Sequence, residues 1–275
     1  MKFSLAPGPI VVLLLGAFLY VRAVGTLRGR GYHVPRWQQA AWWTGLTLEA
    51  VALLGPLDAY ADQALSAHMA QHLLLGDIAA PFLLAGLRTP VLLFLLPRPA
   101  LKTLARRHGL RRVFGVLRRP LVAFPLYVVA LYGWHIGFAF EGALRNPVVH
   151  VLQHQTFLAV NLLLWWPVLE PQRRRMPGHL WKIGYIFAAR MSSMFLGMGF
   201  VFSHGALYGD FYGSKPVRHG LSVLGDQQTA GGMMMSLDII IIFLALCYFF
   251  FYAARQSAAT ERAETAERTG APAVT

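Results

Sequence analysis

Seven stretches of this chain are each long and apolar enough to cross a bilayer. By hydropathy they cover residues 7–24, 37–56, 64–88, 120–141, 147–169, 181–205 and 226–253. Hydrocarbon offers no water to backbone N–H and C=O groups, so a spanning run of about 20 apolar residues must bond to itself as a helix. The expected fold is an all-α, polytopic membrane bundle of seven transmembrane helices, forming one domain over residues 1–255. Composition agrees, with 56% of 275 residues hydrophobic and 13% charged. Residues 256–275 alternate charges with no apolar face and read as a disordered or frayed cytoplasmic tail.

A net charge of +13 could suggest nucleic acid, but the basic residues are sorted by loop. Arg22, Arg28, Arg30 and Arg36 follow the first run, and eight basic residues lie between Arg98 and Arg119 after the third. Arg173, Arg174, Arg175 and Lys182 follow the fifth, and Arg255, Arg262 and Arg268 follow the seventh. Loops on the other side hold Lys2, Arg145, Lys215 and Arg218. This is the positive-inside pattern; it places the N-terminus outside and the C-terminus in the cytoplasm, and it needs no nucleic acid. The 98–119 loop can also hold anionic lipid headgroups. Residues 10–21 followed by Ala23-Val24-Gly25 look like a signal peptide, but the arginines follow the run and only Lys2 precedes it, so a retained span is expected. Cys247 is the only cysteine, which rules out an intrachain disulfide or a Cys-x-x-Cys metal site.

Two runs carry the same five-residue word, His68-Met69-Ala70-Gln71-His72 and His150-Val151-Leu152-Gln153-His154. Positions i and i+4 share a helix face, so each word presents two imidazoles to one neighbour. The topology puts His68, His72, His135, His150, His154 and His204 all in the outer leaflet, whereas His33, His108, His179 and His219 fall in loops. Ionisable groups inside a bilayer usually mark a functional interior. Runs three and four end in His135 as five and six end in His204, which suggests two related hairpins around one centre. Met191, Met194 and Met198 climb the sixth run toward His204, and Met233, Met234 and Met235 open the seventh. Thioether with imidazole favours Cu(I) over zinc, calcium or magnesium; as a plain alternative, methionine is an adaptable core filler. Asp62 and Asp226 at the same end are expected as helix caps, secondary ligands or supports for a histidine. Deep in the runs, Arg190 is expected to pair with Asp238 or Asp77, which relieves the cost of each charge alone.

Several of these words line up with a family. His68 to Leu75 followed by Ala80-Pro81, Trp134-His135, Asn146 to His154, Trp165-Trp166-Pro167 and Asp226-Gln227-Gln228-Thr229-Ala230-Gly231 resemble the CtaG family of cytochrome c oxidase assembly factors. The resemblance implies a bacterial plasma-membrane protein, not an enzyme, that is needed to assemble active oxidase and handles copper on the outer face. Oxidase subunits and a periplasmic copper chaperone would be its partners. Carried over by motif, the candidate ligands are His68, His72, His135, His150, His154 and Asp226. The chain departs from the pattern at Ile136-Gly137-Phe138, where a proline is expected, and at Ser236, where a tryptophan is expected.

With His204, Met233 and Met234 added by their depth, the expected function is a copper-holding assembly factor. One alternative is a b-type haem protein using His68 or His72 with His150 or His154 as axial ligands. Another is an intramembrane metal hydrolase with three histidines and a water, for which Asp62 or Asp226 would have to serve as acid–base.

Overall fold

In the computed structural model, residues 7–171, 180–215 and 220–269 are described, and all their regular structure is helical. Arg173–Arg175, His179, Arg218, His219 and Lys2 lie outside the described residues. In chain order the helices are α1 (Pro7–Arg28), α2 (Arg36–Leu54), α3 (Pro56–Ala61), α4 (Leu65–Leu73), α5 (Ala80–Gly86), α6 (Val91–Phe94), α7 (Arg98–Arg106) and α8 (His108–Leu117). They continue as α9 (Pro120–Trp134), α10 (Gly137–Arg145), α11 (Pro147–Leu169), α12 (Leu180–Phe202), α13 (Gly209–Tyr212) and α14 (Val223–Thr269). Leu74–Ala79, between α4 and α5, is a π-helical segment.

Five helical segments are long and apolar enough to cross a membrane: Gly8–Arg28, Leu65–Gly86, Pro147–Leu169, Trp181–Phe202 and Val223–Arg255. A sixth is reached if α8 and α9, bent by 75° at their junction, count as one span. The other two of the seven expected runs do not meet this measure as single helices. The 37–56 run folds as α2, whose Gln38, Gln39 and Glu49 keep it less apolar than the five. The 120–141 run is split: α9 is 15 residues, about 22 Å, and stops at His135 before α10 begins.

Leu65–Gly86 is the bundle's axis, with 61% of its apolar window buried against 17% for Val223–Arg255. On one side α2 packs against it and α1 against α2, where Tyr20 stacks on Trp42 at 4.7 Å and Gln38 donates to the carbonyls of Gly86 and Arg88 at 3.0 and 2.8 Å. On the other side α11 and α14 pack, and α12 lies along α14. The last crossing needs small residues: a Cβ on Gly231 would stand 2.5 Å from the Gly197 carbonyl oxygen.

Two polar devices sit in this apolar frame. Arg190 of α12, fully buried, donates to Asp77 through Nη1, reaches Asp238 Oδ1 at 3.3 Å and donates through Nη2 to the Tyr127 hydroxyl at 3.2 Å. The expected pairing is thus a triad with both carboxylates. Asp77 lies in the π segment, whose i→i+5 bonding adds one residue to the turns that follow His72, and both side chains line the same cavity.

Candidate metal centre

α4 and α11 place the two histidine words face to face near one end of the bundle. His68 and His72 are the fourth and eighth residues of α4, and His150 and His154 the fourth and eighth of α11. Ring centroids are 4.4 Å apart for His68 and His72, 4.3 Å for His150 and His154, 5.2 Å for His68 and His150, and 5.1 Å for His72 and His154. His135, at the break after α9, joins from the side with its ring 6.3 Å from His72.

Among the described residues, both nitrogens of His68 and His72 and Nε2 of His150 and His154 are buried with no partner at hydrogen-bonding geometry, and the Gln153 amide, unpartnered in the same way, lies beside His68. An orphaned buried donor or acceptor costs roughly 1–3 kcal/mol, so six together are a large unsatisfied demand. Ligand atoms of His68, His72 and His154 lie within 4.8 Å of one another. Nitrogens bound to a common ion at about 2.1 Å stand at most about 4.2 Å apart, so side-chain shifts of an ångström or less would close the site on an ion.

His135 supplies a different donor pair. Its Nδ1 is 2.6 Å from the Leu131 carbonyl oxygen and must carry the proton, which leaves Nε2 with a bare lone pair. That lone pair is 3.5 Å from the Met69 sulfur, itself without a proton to give. Two soft donors in contact fit a cation between them better than they fit each other. Directly below, Met69, His72, His135, Met234, Asn161 and Asp77 line a cavity of about 20 Å³, room for one water or ion.

Of the other expected ligands, Met234 is buried and lines this cavity, whereas Met233 is 36% exposed. His204 lies in the bend beyond α12 and is exposed, so the two hairpins are not matched at their ends. Asp226 accepts from the backbone N–H of Leu65 at 2.6 Å and Ser66 at 3.3 Å, and from the Ser66 hydroxyl. Since Ala64 at the start of α4 has no capping side chain, Asp226 caps that helix from α14. Gln227 accepts from Leu207 N at 2.7 Å and donates to the Phe200 carbonyl at 3.2 Å, clamping the α12–α13 connection.

Sequence reasoning missed the aromatic roof. Phe140 of α10 packs on His68 at 5.0 Å and stacks on Tyr208 at 4.1 Å, while Tyr208 donates to the His135 carbonyl at 2.8 Å. Phe157 closes the wall beside His72 at 4.5 Å. Asn161, which lines the cavity and was also missed, did leave a signal, since it stands seven residues after His154 on the same face. The roof left none, because α10 and α13 reach the site only through tertiary packing. Outside the roof, burial raises the Asp62 carboxyl above its ordinary value; Asp58 adds to this, and His150 and Lys215 oppose it.

Fold and site together define a multi-pass helical membrane protein with a dry cluster of imidazole and thioether donors. The chain belongs to the cytochrome c oxidase caa3 assembly factor family, whose model matches residues 18–256. It is 29% identical over 235 residues to an uncharacterized protein of Mycobacterium bovis and, equally, to one of Mycobacterium tuberculosis. Each match covers 82% of this chain and 35% of the relative, so the chain spans about a third of the length of these curated relatives. No solved structure matches it.

Proposed function

We propose that the protein holds Cu(I) among His68, His72, His154, His135 and Met69 at the outer face of a bacterial plasma membrane and supports its insertion into cytochrome c oxidase. The observation that carries this reading is the set of six buried, unpartnered imidazole nitrogens beside a bare His135–Met69 donor pair. Thioether and imidazole donors suit Cu(I), and a site closed to water keeps the ion from disproportionation and exchange. His150, next outward and beside Asp58 and Asp62, is the entry ligand, where a periplasmic copper chaperone would deliver. Oxidase subunits are the recipients, and the protein acts without catalysis. A haem draws no support from the geometry, since the space beneath the rings is about 20 Å³.

The test is copper analysis of the purified wild type beside His72→Ala and His154→Ala, with oxidase activity measured in a strain lacking the gene. Copper is expected in the wild type and lost in both variants, with oxidase activity falling in parallel. Unchanged copper and intact oxidase in both would defeat the reading.

A further inference from the structure

Below the Arg190 triad, toward the arginine-rich end, the bundle opens into a second cavity that the metal centre does not use. It measures about 730 Å³ and lies between α5, α11, α12 and α14. The walls are hydrocarbon and aromatic: Pro81, Trp165, Val168, Ile186, Ile241 and Phe249. A void of this size lined by apolar groups is a ligand-sized space rather than a packing defect. Phe82, Ile240, Leu244 and Tyr248 line it and are also exposed on the helix surfaces that face lipid, so it opens sideways into the bilayer.

Its polar groups are confined to the two ends. At the closed end is Asp77, held by Arg190. At the other end are Arg88, Lys182 and Glu170. Lys182 is 3% exposed, donates to the Val168 carbonyl at 3.0 Å and lies 3.3 Å from Glu170 Oε2. Among the described residues these two oxygens are its hydrogen-bonding acceptors, with the Trp181 and Phe249 rings at 6.0 and 5.9 Å, so the ammonium can give its third N–H to an added acceptor. Two cations against one carboxylate give this end a net positive charge at headgroup depth. Free copper is a poor match, because the described residues of the cavity lining include no sulfur or imidazole and its mouth carries two cations.

We propose that this cavity is a specific site for one anionic phospholipid, with an acyl chain along α14 and the phosphate on Arg88 and Lys182. The occupant comes from the leaflet that the basic loops mark as cytoplasmic. Its chain fills the space that water would otherwise enter, so the triad beneath the metal centre stays dry from this side.

Native mass spectrometry of the full chain, purified in mild detergent and titrated with phosphatidylglycerol or phosphatidylcholine, tests the site. The first phosphatidylglycerol is expected to bind about tenfold tighter than the first phosphatidylcholine. Arg88→Gln combined with Lys182→Gln should erase that preference while chain binding remains. Ala245→Trp and Ile241→Trp, which fill the cavity from α14, should each remove the tight first site; thermal melting shows that the tested variant is folded. Equal affinity of the wild type for the two lipids, the signature of a non-specific lipid annulus, overturns the proposal, as does an unchanged tight site in a folded tryptophan variant.

Discussion

An imidazole stripped of water and given no hydrogen bond weakens the fold unless something else binds it. Replacing such a group by an apolar one of similar shape is therefore close to neutral for the empty protein. His68→Leu is expected to leave the melting temperature of the metal-free protein unchanged or raised, and to abolish any rise on adding Cu(I). A metal-free protein that melts markedly lower would show instead that the ring is a packing element. Asp226 behaves in the opposite way, because it holds α4 in place. Asp226→Ala should cost about 1 kcal/mol of stability, read in denaturant unfolding, and weaken copper binding less than His72→Ala does. At this scale the paired words were legible because i, i+4 spacing alone puts both imidazoles on one face. His204 was read into the site because hydropathy continues to residue 205, whereas the helix ends at Phe202 and turns the ring to solvent.

Between elements, the decisive contacts are ones no local pattern announces. A pairing of Arg190 with one of two carboxylates could be argued from depth, but that Nη1 meets both is a tertiary outcome, with Asp77 supplied from the π segment. The same segment lies close to α11: a Cβ on Gly76 would sit 2.5 Å from Asn161 Nδ2. A one-residue slip in helix register is set by such tertiary contacts and leaves no periodic trace in sequence. The triad also makes a sharp prediction. Removing one partner of a buried ion cluster leaves uncompensated charge and typically costs 3–5 kcal/mol. Arg190→Met should therefore fail to accumulate in membranes. Adding Asp77→Asn and Asp238→Asn to it, which neutralises the whole cluster, should restore accumulation, measured by immunoblot of membrane fractions. A well-folded single variant would mean the carboxylates are not held by the arginine.

For the molecule as a whole, sidedness and span number are linked. An odd number of crossings puts the two ends of the chain on opposite faces and an even number puts them on one. Loop arginines predict opposite faces with the histidine end outside, while the structure provides five long apolar helices, a bent pair, and α2, buried between α1 and α5 at Trp42 and Gln38. All of α7 and α8 is exposed apart from half-buried Leu101, Gly115 and Leu117, with Leu110, Val113 and Phe114 on one side of α8 and Arg111 and Arg112 between them. That arrangement suits a helix pair lying in the headgroup layer, which explains why the hydropathy of this stretch fell below spanning strength and its charge did not. With Cys247→Ser as a cysteine-free background, single cysteines at Gly8, Leu110, Leu207 and Ala258 report each face. Gly8→Cys and Leu207→Cys should react in intact cells with a membrane-impermeant maleimide, and Leu110→Cys and Ala258→Cys only after permeabilisation. If Gly8→Cys and Ala258→Cys react from the same face, the crossings are even in number and α2 or the α9–α10 pair does not traverse. If Leu207→Cys reacts only from inside, the histidine centre faces the cytoplasm, and delivery from a periplasmic chaperone falls with it.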